Sequence, residues 1–343
     1  MEEPGSPLVR ASRPIPELEP TEVLVEVAGC GLCHTDLSFL YGGVQTKHPV
    51  PLTLGHEISG TVVATGSGLT ELADQQVLVP AVMPCGECDL CRQGHRRVCR
   101  AQIMPGNDID GGFATHVKVP GKYVCPVDLT GSSLELWQLS VVADAVTTPY
   151  QAAERAAVGT GDTVIVIGAG GVGTYGVLVA LARGAKVVVL DVDQSKLDRM
   201  QKYGATATVN VKDLDARAVK KAVKQAVKEA GGAPWRWKIL EMSGTAAGQE
   251  TGYNLLNFGA TLAVVGFTMA KSSLRLSNIM AFDATVVGNW GCDATLYPEV
   301  VAQVLEEKIP VKPFVKSYPL DDINQVIDDA RAHKLTERAV LVP

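Results

Sequence analysis
The chain has 343 residues, of which 46% are hydrophobic, 20% charged and 5% aromatic, with a formal net charge of −6. That length predicts about two domains, with apolar material for two cores. The acidic balance, without a basic stripe carrying interleaved aromatics, argues against a nucleic-acid partner. No apolar run reaches the ~18 residues of a membrane span. The opening Met1–Pro20 is rich in Pro and Glu and has no apolar stretch of the kind a secretion signal needs, so a reducing cytoplasm is the expected compartment.

In chain order, residues 21–29 (TEVLVEVAG) alternate apolar and polar positions and predict a half-buried strand. Strands follow over Ile58–Ala64, Gln76–Pro80 and Ala114–Val119, punctuated by Gly and Pro, which predicts a β-rich, partly antiparallel domain. The character changes near residues 144–148. From Thr163 the order is TVIVIG, GAGGVG, a helical run to Arg183, then KVVVLD: strand, glycine turn, helix, strand. A helix over Asp213–Ala230 places Val219, Val223, Ala226, Val227 and Ala230 on one face, with lysines on the other. Strands over Lys238–Met242 and Thr261–Gly266 continue the alternation. The fold class is therefore α/β, with a doubly wound parallel sheet beside the β-rich domain.

Gly168, Gly170 and Gly173 fit G-x-G-x-x-G directly after the apolar strand Val164–Ile167. In such a turn the first glycine makes the bend, the second admits a pyrophosphate and the third lets helix and strand approach. With Gly171, the helix start offers N–H groups to phosphates. Asp191 closes the second strand at the distance where a carboxylate receives the adenosine ribose hydroxyls. It would repel a 2′-phosphate, which favours NAD over NADP. A glycine-rich turn without a ligand is the plainer reading.

Cys85, Cys88, Cys91 and Cys99 are spaced for one tetrahedral ion. Four thiolates close a zinc site, whose role is then structural; an iron–sulfur site also uses four cysteines. Cys33-His34-Thr35-Asp36 ends a strand, and Gly55-His56-Glu57 follows about twenty residues later. Cys and His bind zinc, and a catalytic zinc keeps one position open.

The motifs GCGLCHTD (29–36), GHEISG (55–60), CGECDLCRQGHRRVC (85–99) and GAGGVG (168–173) together resemble the zinc-dependent medium-chain alcohol dehydrogenases along nearly the whole chain. The resemblance implies a Rossmann domain over 147–289 and a GroES-like catalytic domain over 1–146 and 290–343. It implies that Cys33 and His56 bind catalytic zinc, that Thr35 hydrogen-bonds the substrate oxygen, and that Asp36 supports His56. Glu57 would sit behind the zinc and approach it. Thr148 and Val172 would pack near the nicotinamide, and the backbone around Val265 and Gly288–Trp290 would hold its carboxamide. His34 and Arg338 match positions that touch the pyrophosphate. Two departures stand out. Asp144 occupies the place of the usual third ligand, a cysteine, leaving Asp144, Glu57 or water to complete the shell. Ser38 replaces the proton-relay histidine of some relatives.

Longer segments, among them VPAVMPCGECDLC (79–91), IMPGNDIDGGFATHV (103–117), SVVADAVTTPY (140–150) and AHKLTERAVL (332–341), resemble the 6-hydroxycyclohex-1-ene-1-carbonyl-CoA dehydrogenases of anaerobic benzoyl-CoA breakdown. That resemblance implies zinc and NAD as cofactors, an acyl-CoA substrate oxidised at a ring secondary alcohol, and a homodimer or homotetramer. The lysines on the 213–230 helix would meet CoA phosphates or form a solvated face. The alternatives are another secondary alcohol or polyol as substrate, hydride delivery to a ring C=C of a related dienoyl-CoA, and a non-catalytic NAD-binding sensor.

Overall fold
A computed structural model describes residues 1–343, which form two compact units: Met1–Thr147 with Gly291–Pro343, and Thr148–Trp290. No helix is long and apolar enough to cross a membrane.

The first unit is built on a seven-stranded, mostly antiparallel sheet. Its central strand, Glu22–Gly31, pairs with Glu57–Thr65 along its length, with His116–Pro120 at its start and with Arg338–Val342 at its end. Gln76–Val79 and Cys125–Pro126 extend one edge, and Val315–Pro319 joins Arg338–Val342 on the other. The central strand is not half-buried, as its alternation predicts; Glu26 alone is exposed. Val23, Val25 and Val27 pack against Ile58, Val62, Val77, Val79, Val117 and Val119. The opposite face is covered too: a Cβ added at Gly29 would lie 2.9 Å from that of Trp137. Residues 136–143, a run of tight helical turns buried from Gln138 onward, lie across this face and hide the positions that the pattern assigns to solvent. The register pairs Gly31 with Glu57, so Cys33 and His56, just beyond the paired ends, come side by side.

The second unit is a six-stranded parallel sheet in the order Thr285–Gly288, Thr261–Val264, Lys238–Glu241, Thr163–Ile167, Lys186–Asp191, Ala207–Asn210. Numbered along the chain within the unit, this is 6-5-4-1-2-3, the doubly wound arrangement that places ligands at the strand reversal, beside the end of Thr163–Ile167. The central strands are fully buried Val and Ile runs, as a parallel sheet covered on both faces requires. The lysine-faced helix runs Ala216–Glu229, not from Asp213: Asp213 has φ +62°, which no helix accepts, and Asp215 caps the N-terminus by accepting from the Ala218 N–H. Val219, Val223, Ala226 and Val227 are buried as the periodicity predicts, whereas Ala230 falls outside the helix as its C-cap.

Candidate active site
Cys33, His56, Glu57 and Asp144 bring their ligand atoms within 4.8 Å of one another. Cys33 Sγ lies 3.7 Å from Asp144 Oδ2, and His56 Nε2 lies 3.6 Å from the same oxygen. Ligands held about 2.0–2.3 Å from one tetrahedral ion stand about 3.3–3.8 Å apart, so these spacings fit a shared metal. They are too long for strong hydrogen bonds. The fully buried His56 leaves both ring nitrogens without a well-formed hydrogen bond, and Nε2 is the one turned toward Asp144. On the ring's other side, Nδ1 lies 3.3 Å from Asp36 Oδ1. Asp36 is itself fixed, accepting from the N–H of Cys33 at 3.0 Å and of Gly55 at 3.1 Å. Burial alone disfavours a charged His56, but Asp36, Cys33 and Asp144 outweigh it and push the imidazole well above its usual pKa. These neighbours favour a positive charge at the ring.

Glu57 stands differently. Its two oxygens accept from Nε of Arg338 at 2.7 Å and from one terminal nitrogen of the same guanidinium. Burial pushes the Glu57 carboxyl up to about 7, against the pull of Arg338. Arg338, read from the resemblance as a pyrophosphate contact, is turned inward onto Glu57 with 8% of its side chain exposed. Thr35 Oγ1 lies 3.7 Å from Cys33 Sγ. His34 is exposed at the start of the helix His34–Leu40. Ser38 donates its hydroxyl to the His34 carbonyl at 2.9 Å.

The four-cysteine segment forms a separate cluster. Sulfur separations of 3.5 Å (Cys88–Cys91, Cys85–Cys99), 3.8 Å (Cys88–Cys99) and 4.0 Å (Cys85–Cys91) are those of thiolates around a single ion. With Zn–S near 2.3 Å, the tetrahedral edge is about 3.8 Å. A multi-iron cluster interposes bridging sulfides and would hold the thiolates farther apart. Backbone N–H groups of Cys88 and Cys85 donate to Cys85 Sγ and Cys99 Sγ, each at 3.4 Å.

In the second unit the glycine turn has the shape a dinucleotide needs. Gly168 has φ +89°, and a Cβ there would lie 2.7 Å from Ser243 Cα. A Cβ at Gly173 would meet the Gly168 carbonyl oxygen at 1.8 Å, so helix Gly171–Ala182 packs closer than any other residue allows. At Gly170 nothing lies within 4 Å, which leaves the space that a pyrophosphate occupies. Asp191 holds this turn: Oδ2 accepts from the Ala169 N–H at 2.7 Å, and Oδ1 from Asp193 at 2.9 Å. Val172 is half-buried on the first turn of that helix. Val265 and Trp290 follow the neighbouring strands Thr261–Val264 and Thr285–Gly288, and Thr148 lies in the first turn of helix Thr147–Arg155. The Val265 N–H donates to the Glu241 carbonyl, and Gln151 donates to Asn289 Oδ1 at 3.0 Å and the Trp290 carbonyl at 3.2 Å. Asn289 Nδ2 in turn donates to the Thr148 carbonyl at 3.1 Å.

Sequence reasoning missed the Gln151–Asn289 link, the Arg338–Glu57 pair and Tyr297. The last is fully buried; its hydroxyl donates to the Ala143 carbonyl and accepts from the Ala81 N–H at 3.2 Å, fixing the backbone next to Asp144. No local pattern marks a tyrosine on helix Tyr297–Leu305 as a support for residue 144.

Residues 19–129 match a family model described as the alcohol dehydrogenase GroES-like domain, and residues 171–307 match one described as zinc-binding dehydrogenase. The chain is 29% identical over 328 residues to an alcohol dehydrogenase of Geobacillus stearothermophilus, covering 95% of this chain and 93% of the relative. It is 28% identical over 344 residues to the galactitol 1-phosphate 5-dehydrogenase of Escherichia coli strain K12, covering 96% and 95%. Among solved structures it resembles galactitol-1-phosphate dehydrogenase from Escherichia coli (TM-score 0.88, 26% identity, 100% and 98% covered) and the alcohol dehydrogenase of Aeropyrum pernix (TM-score 0.88, 27% identity, 100% and 98% covered).

Proposed function
We propose, for a chain that belongs to the zinc-dependent medium-chain alcohol dehydrogenase family and is an NAD-dependent oxidoreductase acting on CH–OH groups, that the substrate is 6-hydroxycyclohex-1-ene-1-carbonyl-CoA, oxidised to the 6-oxo ester. The carrying observation for the chemistry is the Cys33–His56–Asp144 cluster with its 3.6–3.7 Å spacings. The substrate rests on the sequence segments quoted above, which include Asp144 itself.

When bound, zinc polarises an alcohol oxygen and NAD accepts a hydride. The residues do the rest. Cys33, His56 and Asp144 would hold the metal, and Asp36, 3.3 Å from Nδ1, would fix the His56 ring. Thr35 Oγ1 would accept the hydroxyl proton while passing its own outward to solvent, as the carbinol hydrogen leaves with its electron pair for NAD. Ser38, committed to the His34 carbonyl, does not offer the base that a histidine would there. Glu57 balances Arg338 behind the cluster instead of supplying the third ligand.

In this reading the enzyme is cytoplasmic and homo-oligomeric. Large apolar side chains are exposed at Phe267, Met269, Leu276, Met280 and Trp290 of the second unit, an arrangement that marks association surfaces. The deciding assay is NAD reduction by the zinc-loaded protein against hydroxyacyl-CoA esters, free secondary alcohols and polyol phosphates. The CoA ester should give the highest kcat/KM. A higher value for a free alcohol or for galactitol 1-phosphate, the substrate named for one relative, would replace the proposed substrate and leave the alcohol oxidation standing.

A further inference from the structure
Strand Lys238–Glu241 forms the second wall of the strand reversal. It pairs with Thr163–Ile167 on one side and Thr261–Val264 on the other, so its last residue, Glu241, lies level with both Ile167 and Val264. The Glu241 side chain is fully buried, and no basic side chain offsets it. Oε1 accepts from the Ser243 N–H at 2.8 Å and from the Ser243 hydroxyl at 2.5 Å, while Oε2 has no hydrogen bond. Burial pushes this carboxyl above its ordinary pKa, against the Ser243 hydroxyl and the N–H groups of Ser243, Gly266 and Gly244. A carboxyl sunk without a cation into the end of a sheet costs stability that an apolar residue would not. A sequence that breaks a rule of burial in this way marks a place kept for function.

The turn Ser243–Gly244 stands between two other segments. A Cβ on Gly168 would fall 2.7 Å from Ser243 Cα, and a Cβ on Gly266 would fall 2.3 Å from the Gly244 nitrogen and 2.8 Å from Glu241 Oε2. Gly244 has φ +66°, which bends the chain back between them. The turn therefore meets, backbone to backbone, both the first glycine of the dinucleotide turn and the loop that follows strand Thr261–Val264. That loop is fastened as well: the Val265 and Gly266 N–H groups donate to the Glu241 carbonyl at 2.9 and 3.0 Å, and the Gly266 carbonyl accepts from Gln249 Nε2 at 3.1 Å. All these residues belong to the second unit.

We infer that Glu241 is a positioning residue for the coenzyme: by holding Ser243 in place, it sets the distance between the glycine turn, where the pyrophosphate belongs, and the Val265 backbone, where the carboxamide belongs. Fully buried, it would act through the 243–244 turn rather than touch NAD. The glycine turn has a support of its own, Asp191 through the Ala169 N–H. Loss of the Glu241 carboxyl should therefore leave the pyrophosphate end in place and loosen the nicotinamide end. Ser243 Oγ also stands 3.0 Å from Thr245 Oγ1, whose side chain caps helix Ala246–Asn254. A role confined to that helix start would show as stability, not as a difference between ligands. The inference rests on NAD as the coenzyme of this cradle.

The test titrates the zinc-loaded protein with NADH and with ADP-ribose, which carries the adenosine and the pyrophosphate but no nicotinamide, and records the melting temperature of each variant. In E241A the Kd for NADH should rise about tenfold or more, while the Kd for ADP-ribose holds. The KM for NAD should rise with it, and kcat should fall as the nicotinamide loses its alignment. E241Q, whose amide oxygen still accepts both donors of Ser243, should restore NADH binding. S243A keeps the backbone donor and removes only the hydroxyl; it should raise the Kd for NADH several-fold, and it decides the matter if E241A does not fold. A lower melting temperature in E241A with both Kd values unchanged would reduce Glu241 to a support of the helix start. Equal weakening of both ligands would show that it serves the glycine turn alone. Either result overturns the positioning role, as does a failure of E241Q to restore NADH binding or, where E241A does not fold, an unchanged Kd for NADH in S243A. If wild type binds neither ligand, the coenzyme reading itself fails. If every variant binds both normally, that reading stands and only the role of Glu241 falls.

Discussion
At position 144 the chain offers oxygen where its resemblance leads one to expect sulfur. One thiolate, one carboxylate and one imidazole leave a bound zinc formally neutral, as two thiolates and an imidazole would. Carboxylate oxygen is harder and donates less electron density, so the zinc stays a strong Lewis acid toward the substrate. Loss of an outer partner of a metal ligand already costs roughly 10–100-fold in affinity or activity. Asp144→Asn should therefore reduce kcat by about 100-fold or more and lower the catalytic zinc content, whereas Asp144→Cys should retain the metal. Full zinc occupancy with near-normal kcat in the Asn variant would return the third-ligand role to Glu57. A second carboxylate, Asp191, holds the glycine turn through the Ala169 N–H, and in the proposed reading it would also receive the ribose hydroxyls. Asp191→Ser should narrow the preference for NAD over NADP by about tenfold, or ~1.4 kcal/mol, chiefly through weaker NAD binding. Equal kcat/KM for the two cofactors in the wild type would remove the electrostatic basis of this assignment.

At the scale of elements, the three turn glycines do different physical work, and substitution should separate them. Gly173→Ala drives a methyl into the Gly168 carbonyl and must displace backbone, so it should lower stability as well as NAD affinity. Gly170→Val has open space at its Cβ; the protein should remain folded by circular dichroism while its Kd for NADH rises at least tenfold, or about 1.4 kcal/mol. A Gly170→Val protein that binds NADH normally would place the pyrophosphate elsewhere. These glycines were legible in the sequence because their demands are local: a strand before, a helix after, fixed spacing between. The four-cysteine segment was legible for the same reason. What escaped is long-range. Glu57 and Arg338 are 281 residues apart and meet only because the last strand pairs with the end of the first. Likewise, the depth of strand Glu22–Gly31 depends on residues 136–143, over a hundred positions away. The start of the lysine-faced helix was misplaced by a single left-handed residue, Asp213, which hydrophobic periodicity does not register.

On the scale of the molecule, tasks are divided between the units. Both metal clusters belong to the first unit, whereas the glycine turn, Asp191, Thr148, Val265 and Trp290 belong to the second. The two clusters differ in what they leave open. Four thiolates at 85, 88, 91 and 99 close a tetrahedron, and for such sites the metal-binding free energy is folding free energy, about 10–16 kcal/mol in small zinc modules. The proposed ligands Cys33, His56 and Asp144 would leave a fourth position, which a small chelator can reach. Dialysis against a bidentate chelator at neutral pH should therefore remove one of two zinc equivalents and abolish turnover. The thermal transition should hardly move, and NADH should still bind, because the glycine turn and Asp191 form that cradle without a metal. Removal of the second equivalent should require denaturant or acid, and Cys91→Ser should mimic it by lowering the melting temperature before it alters kcat of the protein that remains folded. Metal analysis, NADH fluorescence titration and calorimetry on the same dialysed sample read all three quantities. Loss of both equivalents at one rate, or loss of NADH binding in step with the first, would show that the two sites do not differ in closure and that the nucleotide site is not independent of the metal.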